Sequence, residues 1–465
     1  MRKTKKVITE PINVNSQQII STTNYSNVLE HKLYFMRYLI VFLFVFYAIS
    51  SFGQTKSIKY SPPLIEGTAE AVGMSEERLA RIDKICLDAI ENDDIPGIVA
   101  LVARNGEIVY YKAFGMADNE TGKKLKRDDI FRIASQSKAI TSTAVMMLWE
   151  EGKFSLDDPI SKYIPEFKNP QVLDTLYENG KYKTKPADKE ITIRHLLTHT
   201  SGIGYGKIDR DDRFKKIYGQ AGIIDLFTIK NITIKENIKK LAKLPLHHNP
   251  GAKFTYSESL DVMGYFVEIM SGMPFDEFLR KRIFEPLGMD DTWFYLPESK
   301  YNRLVSIQTK KDGKWVKYPT TFYDPDYPIK GAKSFFSGGA GLCSTAKDYA
   351  TFLQMYLNNG ELNGVRILSR TTVEFMLQNQ IGNLSVLNRK GYKFGLAFAL
   401  LNQEGQSIGG KGSPGTFEWG GYFNTQYFAD PNEKIIGILM KQTRDIEPET
   451  TGAKFRQLVF QAIDD

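Results

Sequence analysis

Strand-like segments sit at both ends of this chain and helical patterns fill the middle, and that distribution restricts the fold more than any other feature. Near the start, residues 98–103 and 107–113 are rich in apolar and aromatic side chains and are joined by Asn105-Gly106, a pair suited to a tight hairpin. Near the end, residues 393–401, 423–429 and 434–441 read as strands, the last two joined by Asp430-Pro431-Asn432-Glu433. Residues 153–335 alternate helical patterns with Pro/Gly loops and carry little strand signal. Strands so far apart cover one another's apolar faces most simply in one sheet built from both chain ends. The expected class is α/β (α+β), an antiparallel sheet flanked by helices with a mostly helical lobe inserted in it. The sheet lobe is expected over about residues 65–130 and 340–465, and the helical lobe over about 131–339. Flanking helices are predicted from the cap Ser75 to about residue 91, and from about residue 452 to 463.

The junction between the lobes carries the chemistry. The loop Phe131-Arg132-Ile133-Ala134 runs into a helical pattern that includes Ser135 and Lys138 and stops at Gly152. Positions i and i+3 of a helix share a face, so this hydroxyl and amine can meet in one cleft. A serine hydroxyl is a weak nucleophile until a base takes its proton. Lysine can be that base where burial or a neighbouring cation disfavours its charged form. A serine at a helix N-terminus also has a backbone N–H aimed at the anion formed in acyl transfer. Ser344-Thr345-Ala346-Lys347 has the same spacing, but Ser344 reads as a helix cap behind the loop Gly338-Gly339-Ala340-Gly341 and is assigned a structural part.

Two later segments can complete such a site. Tyr256 follows the turn Pro250-Gly251, and its phenol can serve a serine as a second base or proton shuttle. Trp419-Gly420-Gly421 places two glycines at a strand edge, where a ligand can approach the backbone and the N–H of Tyr422 can join an oxyanion hole.

In this order, Ser135-x-x-Lys138, Tyr256-Ser257-Glu258 and Trp419-Gly420-Gly421 resemble the serine β-lactamase and penicillin-recognising superfamily, more closely its class C-like branch with the family VIII carboxylesterases. Residues 191–202, 338–345 and 359–366 fit that branch too, and the likeness covers roughly residues 65–465. The resemblance implies a β-lactamase/transpeptidase-like fold without cofactor. It implies Ser135 as nucleophile, Lys138 and Tyr256 sharing the base role, and the N–H groups of Ser135 and Tyr422 as oxyanion donors. Glu258, Trp419, Gly420 and Gly421 then fall at substrate-binding positions. The chain departs from the pattern twice, with Glu258 where Asn is common and Trp419 where Lys or His is common.

Both departures bear on substrate. β-Lactams and D-Ala-D-Ala peptides present a carboxylate, and Trp419 gives it no cation. An ionised Glu258 would repel it and hold Lys138 in its charged form. Lys253 or Lys411 could supply the cation instead. The leading reading is an exported serine hydrolase that forms an acyl-enzyme at Ser135 and cleaves carboxylic esters. The alternatives are a β-lactamase or D-Ala-D-Ala peptidase of the same fold, or a non-catalytic member that binds a small ligand.

Length and composition support a single large globular enzyme, and the resemblance implies a small-molecule ester or amide as its substrate. With 465 residues, 42% hydrophobic and 12% aromatic, the chain can bury a large core. The net charge of +7 is concentrated at the start: residues 1–53 hold six basic and two acidic side chains, leaving +3 for the rest. No basic run interleaved with aromatics appears, so nucleic acid is not an expected partner. Residues 39–49 are an unbroken apolar run preceded by Lys32 and Arg37 and followed by Ser51-Phe52-Gly53, a small-x-small cleavage site. Residues 36–53 are therefore read as a signal peptide starting at Met36, residues 1–35 as a non-native or disordered extension, and residues 54–465 as the enzyme domain. The expected location is periplasmic or secreted with no membrane span after cleavage, an uncleaved anchor being the alternative.

Other patterns are set aside. His195 and His199 have i, i+4 spacing, but Leu196 occupies the glutamate position of H-E-x-x-H, and no metal is expected. His247-His248 reads as surface or cleft rim. The segment 405–411 matches G-x-x-x-x-G-K but continues with Gly412 and Pro414, so it reads as a loop. Cys86 and Cys343 could pair or remain two buried thiols.

Overall fold

In the computed structural model, which describes residues 55–465, the main sheet draws its strands from both chain ends. The expected extension and signal segment lie outside the described residues. In chain order the strands are β1 (Ile65–Glu66), β2 (Gly97–Arg104), β3 (Glu107–Asp118), β4 (Lys123–Lys124), β5 (Tyr392–Phe394), β6 (Ala399–Leu401), β7 (Phe417–Gly420), β8 (Gln426–Asp430) and β9 (Ile435–Met440). They are ordered β5-β6-β7-β8-β9-β2-β3-β1, with β4 against β3. Within this sheet only β1 runs parallel to its neighbour. The closing pair is β9 with β2, in register from Ile435 opposite Arg104 to Met440 opposite Val99.

All of β2 is buried, which explains its continuous apolar sequence. Ile98, Ala100 and Val102 face α1 (Arg81–Glu91) and α5 (Thr451–Gln461), in a cluster with Ile82, Cys86, Phe455 and Val459. Val99, Leu101 and Ala103 face the opposite layer, which holds α2 (Ser137–Glu150) and α4 (Ala346–Leu357). Helix α2 is buried on every side over most of its length, as an apolar helix without a polar stripe should be. Helix α3 (Ser259–Ser271) packs across it. Among the described residues, no helix is long and apolar enough to cross a membrane.

The structure departs from the sequence reading at several points. The predicted strand 393–401 is the hairpin β5–β6, turning through residues 395–398. The strand expected over 423–429 begins at Gln426, because residues 421–425 form the turn from β7. The middle of the chain contains two hairpins, Gln171–Leu176 with Tyr182–Pro186 and Gln308–Lys311 with Lys314–Lys317. Both are mostly exposed, so neither has the apolar alternation that betrays a half-buried strand. The cap of α4 is Thr345, whose side chain accepts from the Asp348 N–H, whereas Ser344 pairs with Thr292. Part of the 405–411 loop is the helix Gln403–Ser407, capped by Asn402. The helix starting at Ile193 ends at Leu197, so His199 lies beyond it and does not share its face with His195. Cys86 and Cys343 are separate buried thiols, each pushed up to about 12 by burial.

Candidate active site

Ser135 stands at the entry to α2, in a short 3₁₀ turn (Ala134–Gln136) just ahead of the helix. Its neighbours from Phe131 to Lys138 are buried and it alone is partly exposed. Ala134 holds φ = +43°, a conformation costly to a residue with a β-carbon and typical of sites whose surroundings fix the backbone. Here the surroundings are the short pairing of Phe131–Arg132 with Cys343–Ser344 and the buried Arg132 guanidinium, which donates to the carbonyls of Pro325 and Val305.

One turn after Ser135, at the second position of α2, Lys138 points back at the serine. Its Nζ lies 2.6 Å from the Gly339 carbonyl, 3.1 Å from the Tyr205 phenol oxygen and 3.4 Å from Ser135 Oγ. These three acceptors match the three protons of an ammonium group. Gly339 belongs to the glycine-rich loop, which threads between α2 and α3. A β-carbon at Gly338 would come within 2.4 Å of the Leu260 carbonyl, and one at Gly339 within 2.3 Å of Asp261. The loop is tied to α2 by Thr141, which donates to Gly338 O at 2.7 Å, and to α3 by Asp261, which accepts from Ser337 Oγ and the Gly339 N–H.

Tyr256 approaches from the opposite wall. Its ring lies 4.7 Å from Lys138 Nζ, and its phenol oxygen accepts from the Trp419 indole N–H at 3.0 Å. The buried His199 packs against the same ring, with centroids 4.6 Å apart, and its Nδ1 meets Ser257 Oγ at 3.1 Å. Burial first, with Lys138 adding to it, holds the His199 imidazole well below the ordinary range, so it is neutral.

The β7–β8 turn closes the site from the sheet. A β-carbon on Gly421 would lie 2.2 Å from Thr425 Oγ1 and 2.5 Å from the Ile133 carbonyl, so only glycine lets this turn touch the turn that carries Ser135. Gly420 has more room. Among the described residues, the Tyr422 N–H meets no protein acceptor. The Tyr422 ring lies under the Arg444 guanidinium at 4.0 Å.

The structure thus brings together Ser135, Lys138, Tyr256, Trp419, Gly420, Gly421 and Tyr422. It does not bring Glu258 to the same surface. That side chain is 1% exposed and turned inward against Asp225, beneath the cleft, because Ser257, Glu258 and Ser259 start α3 in the core. Desolvation first, then the neighbouring Asp225, pushes its carboxyl well above the usual carboxylate range. It is not the ionised group at the substrate that the sequence suggested. Lys411 lies against the Tyr392 ring, near Arg456 of α5. Lys253 is exposed.

A cleft of about 880 Å³ adjoins the network, with Tyr205, Tyr256, Tyr422, Phe322, His247 and Arg444 among its walls. Tyr205 and Arg444 escaped the sequence reading. Tyr205 had a signal: it stands between Gly204 and Gly206, two glycines that allow close approach to Asp209, His247 and Asp225. Nothing local to Arg444 distinguished it from other surface arginines.

The beta-lactamase family model matches residues 82–460. Esterase EstB of Burkholderia gladioli is 31% identical over 375 residues, spanning 78% of this chain and 90% of that protein. The solved structure of EstCE1, described as a hydrolase with promiscuous acyltransferase activity, superposes with a TM-score of 0.70 at 27% identity, covering 84% of this chain and 99% of its own. Simvastatin synthase LovD of Aspergillus terreus shares the fold, with a TM-score of 0.69 at 21% identity over 84% of this chain and 98% of its own. Ser135, Lys138 and Tyr256 all lie within the residues that the family model matches, and the chain belongs to the beta-lactamase family as a serine hydrolase of that fold.

Proposed function

We propose that the protein hydrolyses neutral carboxylic esters through an acyl-enzyme at Ser135. The observation that carries this reading is the Lys138 amine, 3.4 Å from Ser135 Oγ, beside a cleft whose third motif offers the Trp419 indole in place of a cation. Lys138 as free amine takes the Ser135 proton while Oγ bonds to the ester carbonyl carbon. The Ser135 and Tyr422 N–H groups hold the resulting oxyanion. The carbonyl re-forms, the alkoxide leaves, and Tyr256 relays the proton to it from Lys138. Water then attacks the acyl-enzyme by the same route and releases the acid.

Arg444 favours a second reading, because with Lys207, Arg210 and Lys215 it puts cations on the cleft walls where a substrate carboxylate could dock. Asp445 lies 3.1 Å from its Nε, which weakens that attraction. The two readings separate on kcat/KM for a p-nitrophenyl ester against nitrocefin with one purified preparation, and a clear preference for nitrocefin overturns the ester assignment. A fluorophosphonate probe that labels Ser135 excludes the non-catalytic alternative. The export reading belongs to this proposal too, resting on residues 36–53. N-terminal sequencing of mature protein tests it, and recovery of residues 1–35 refutes it.

A further inference from the structure

Below Lys138 lies a group of buried acids that the ester-cleavage scheme leaves unused. Asp225, Glu258 and Asp261 are 3%, 1% and 3% exposed. Their donors are unequally shared. Asp225 accepts from the N–H groups of Gly206 and Ile208, at 2.9 and 3.3 Å. Asp261 accepts from Ser337 Oγ and the Gly339 N–H, at 2.5 and 3.2 Å. Among the described residues, neither Glu258 oxygen meets a donor. Lys138 on α2 is the cation facing Glu258 and Asp261, and the other titratable groups packed around Glu258 are Asp225, Tyr205 of the 203–211 loop and Tyr218 of the helix Asp212–Ala221. Both phenols are held above their ordinary range, first by burial, so they stay neutral.

Three ionised carboxylates beside a lysine that carries at most one positive charge would leave two or more uncompensated charges out of contact with water, an arrangement that real sites avoid by taking up a proton. The proton goes to the acid whose ionised form has the fewest hydrogen bonds to lose. We propose that Glu258 and Asp225 share one proton beneath Lys138, with Glu258 the protonated member donating to the Asp225 carboxylate, and that this pair sets the charge balance in which Lys138 acts as a base. The inference rests on the reading of Lys138 as that base. Glu258 acts through Lys138 and Tyr205 and touches no substrate, so it is a positioning residue. The pair has a mechanical part as well. Asp225 holds the Gly206 and Ile208 N–H groups, and the Glu258 N–H donates to the Gly204 carbonyl, so both anchor the loop that presents the Tyr205 oxygen to Lys138.

Glu258→Gln and Asp225→Asn test the assignment because they are nearly isosteric and differ in charge consequence. Glu258→Gln keeps a donor toward Asp225 and the same total charge, so the ascending limb of the kcat/KM profile stays in place. Asp225→Asn removes the negative charge of the pair beneath the site and favours the free amine of Lys138, so the limb moves to lower pH. Infrared difference spectra of the purified proteins at pH 8 give a readout independent of turnover. The wild type should show a protonated carboxylic C=O stretch that Glu258→Gln abolishes. The proposal is overturned if no such band is lost, or if Glu258→Gln moves the limb as far as Asp225→Asn does. An enzyme without esterase activity would sink the ester reading, and the infrared band would still decide where the proton resides.

Discussion

Replacing Tyr205 by Phe isolates a single hydrogen bond in the proposed machinery. The ring is 3% exposed and packed with Leu226, Phe227 and Tyr323, and it stays when the hydroxyl goes, so the melting temperature should barely change. What is lost is one of three acceptors around Lys138 Nζ, the 3.1 Å contact. Its value appears when Lys138 has received the Ser135 proton and become an ammonium. With the side chain only 2% exposed, water cannot replace the missing oxygen. A hydrogen bond to a charged group is worth about 1.5–3 kcal/mol, which at about 1.4 kcal/mol per decade is a fall of roughly 10- to 150-fold in kcat/KM. The loss should fall on kcat, because no substrate atom is involved, with KM for a p-nitrophenyl ester little changed. The Gly339 carbonyl at 2.6 Å keeps the amine in place, so activity is reduced and not abolished. A Tyr205→Phe enzyme within about threefold of wild type, or one whose loss lies entirely in KM, would refute the idea that the phenol stabilises a protonated lysine during the reaction.

Other substitutions probe the remaining parts. Ser135→Ala should lower ester turnover by on the order of 10³-fold or more, while Ser344→Ala, which loses its bonds to Thr292 and the Thr345 carbonyl, should keep most of it; equal losses would undo the assignment. Gly421→Ala must displace either Thr425 or the Ile133 carbonyl, so kcat should collapse and fluorophosphonate labelling slow, and a normal labelling rate would mean that the turn does not shape the oxyanion site. Burial raises the Asp348 carboxyl from 3.8 to about 6, so the folded state binds its proton more tightly and stability falls as pH rises between about 4 and 6. Both of its donors, the Asp291 N–H and the Thr292 hydroxyl, meet one oxygen, which Asn can reproduce. Asp348→Asn should therefore stabilise the protein at pH 7 by up to about 3 kcal/mol and by little at pH 4, as read by denaturant unfolding, and a destabilised variant at pH 7 would contradict this.

Much of the frame was legible because it rests on local chemistry. Asn105-Gly106 announces its hairpin, and Asn105 does adopt a positive φ of 52°. The apolar run 98–103 of β2 and the cap Ser75 read correctly for the same reason, although the helix after Ser75 breaks at Ala80. Ser135 and Lys138 were visible as a pair because a helix fixes what three residues' spacing means. Directions of side chains at element ends were not legible. Glu258 sits one residue before α3, where a small rotation decides between cleft and core, and partners far away in sequence decide it. Tyr205 meets Lys138 only through tertiary packing, and the Asp225 that braces its loop bears no sequence relation to either. The exposed strand Tyr182–Pro186 shows the converse limit, since a strand whose residues mostly face water leaves no hydrophobic period to read.

The pairing of β9 with β2 has a temporal consequence. The strand that completes the sheet is made hundreds of residues after its partner, and the Tyr422 N–H follows Ser135 by nearly as long. A ribosome that has delivered Ser135, Lys138 and Tyr256 has still not delivered the far wall of the site. Until then β2 presents a bare, apolar edge of the kind that invites pairing with a stranger. Contacts of this range also close slowly, since a long loop must be ordered before they give any return. Incomplete chains should thus be both inert and sticky, and the closing stretch from Ile435 onward acts as the moment of commitment: ending synthesis before it withholds catalysis and leaves a hazard, while finishing it removes both at once.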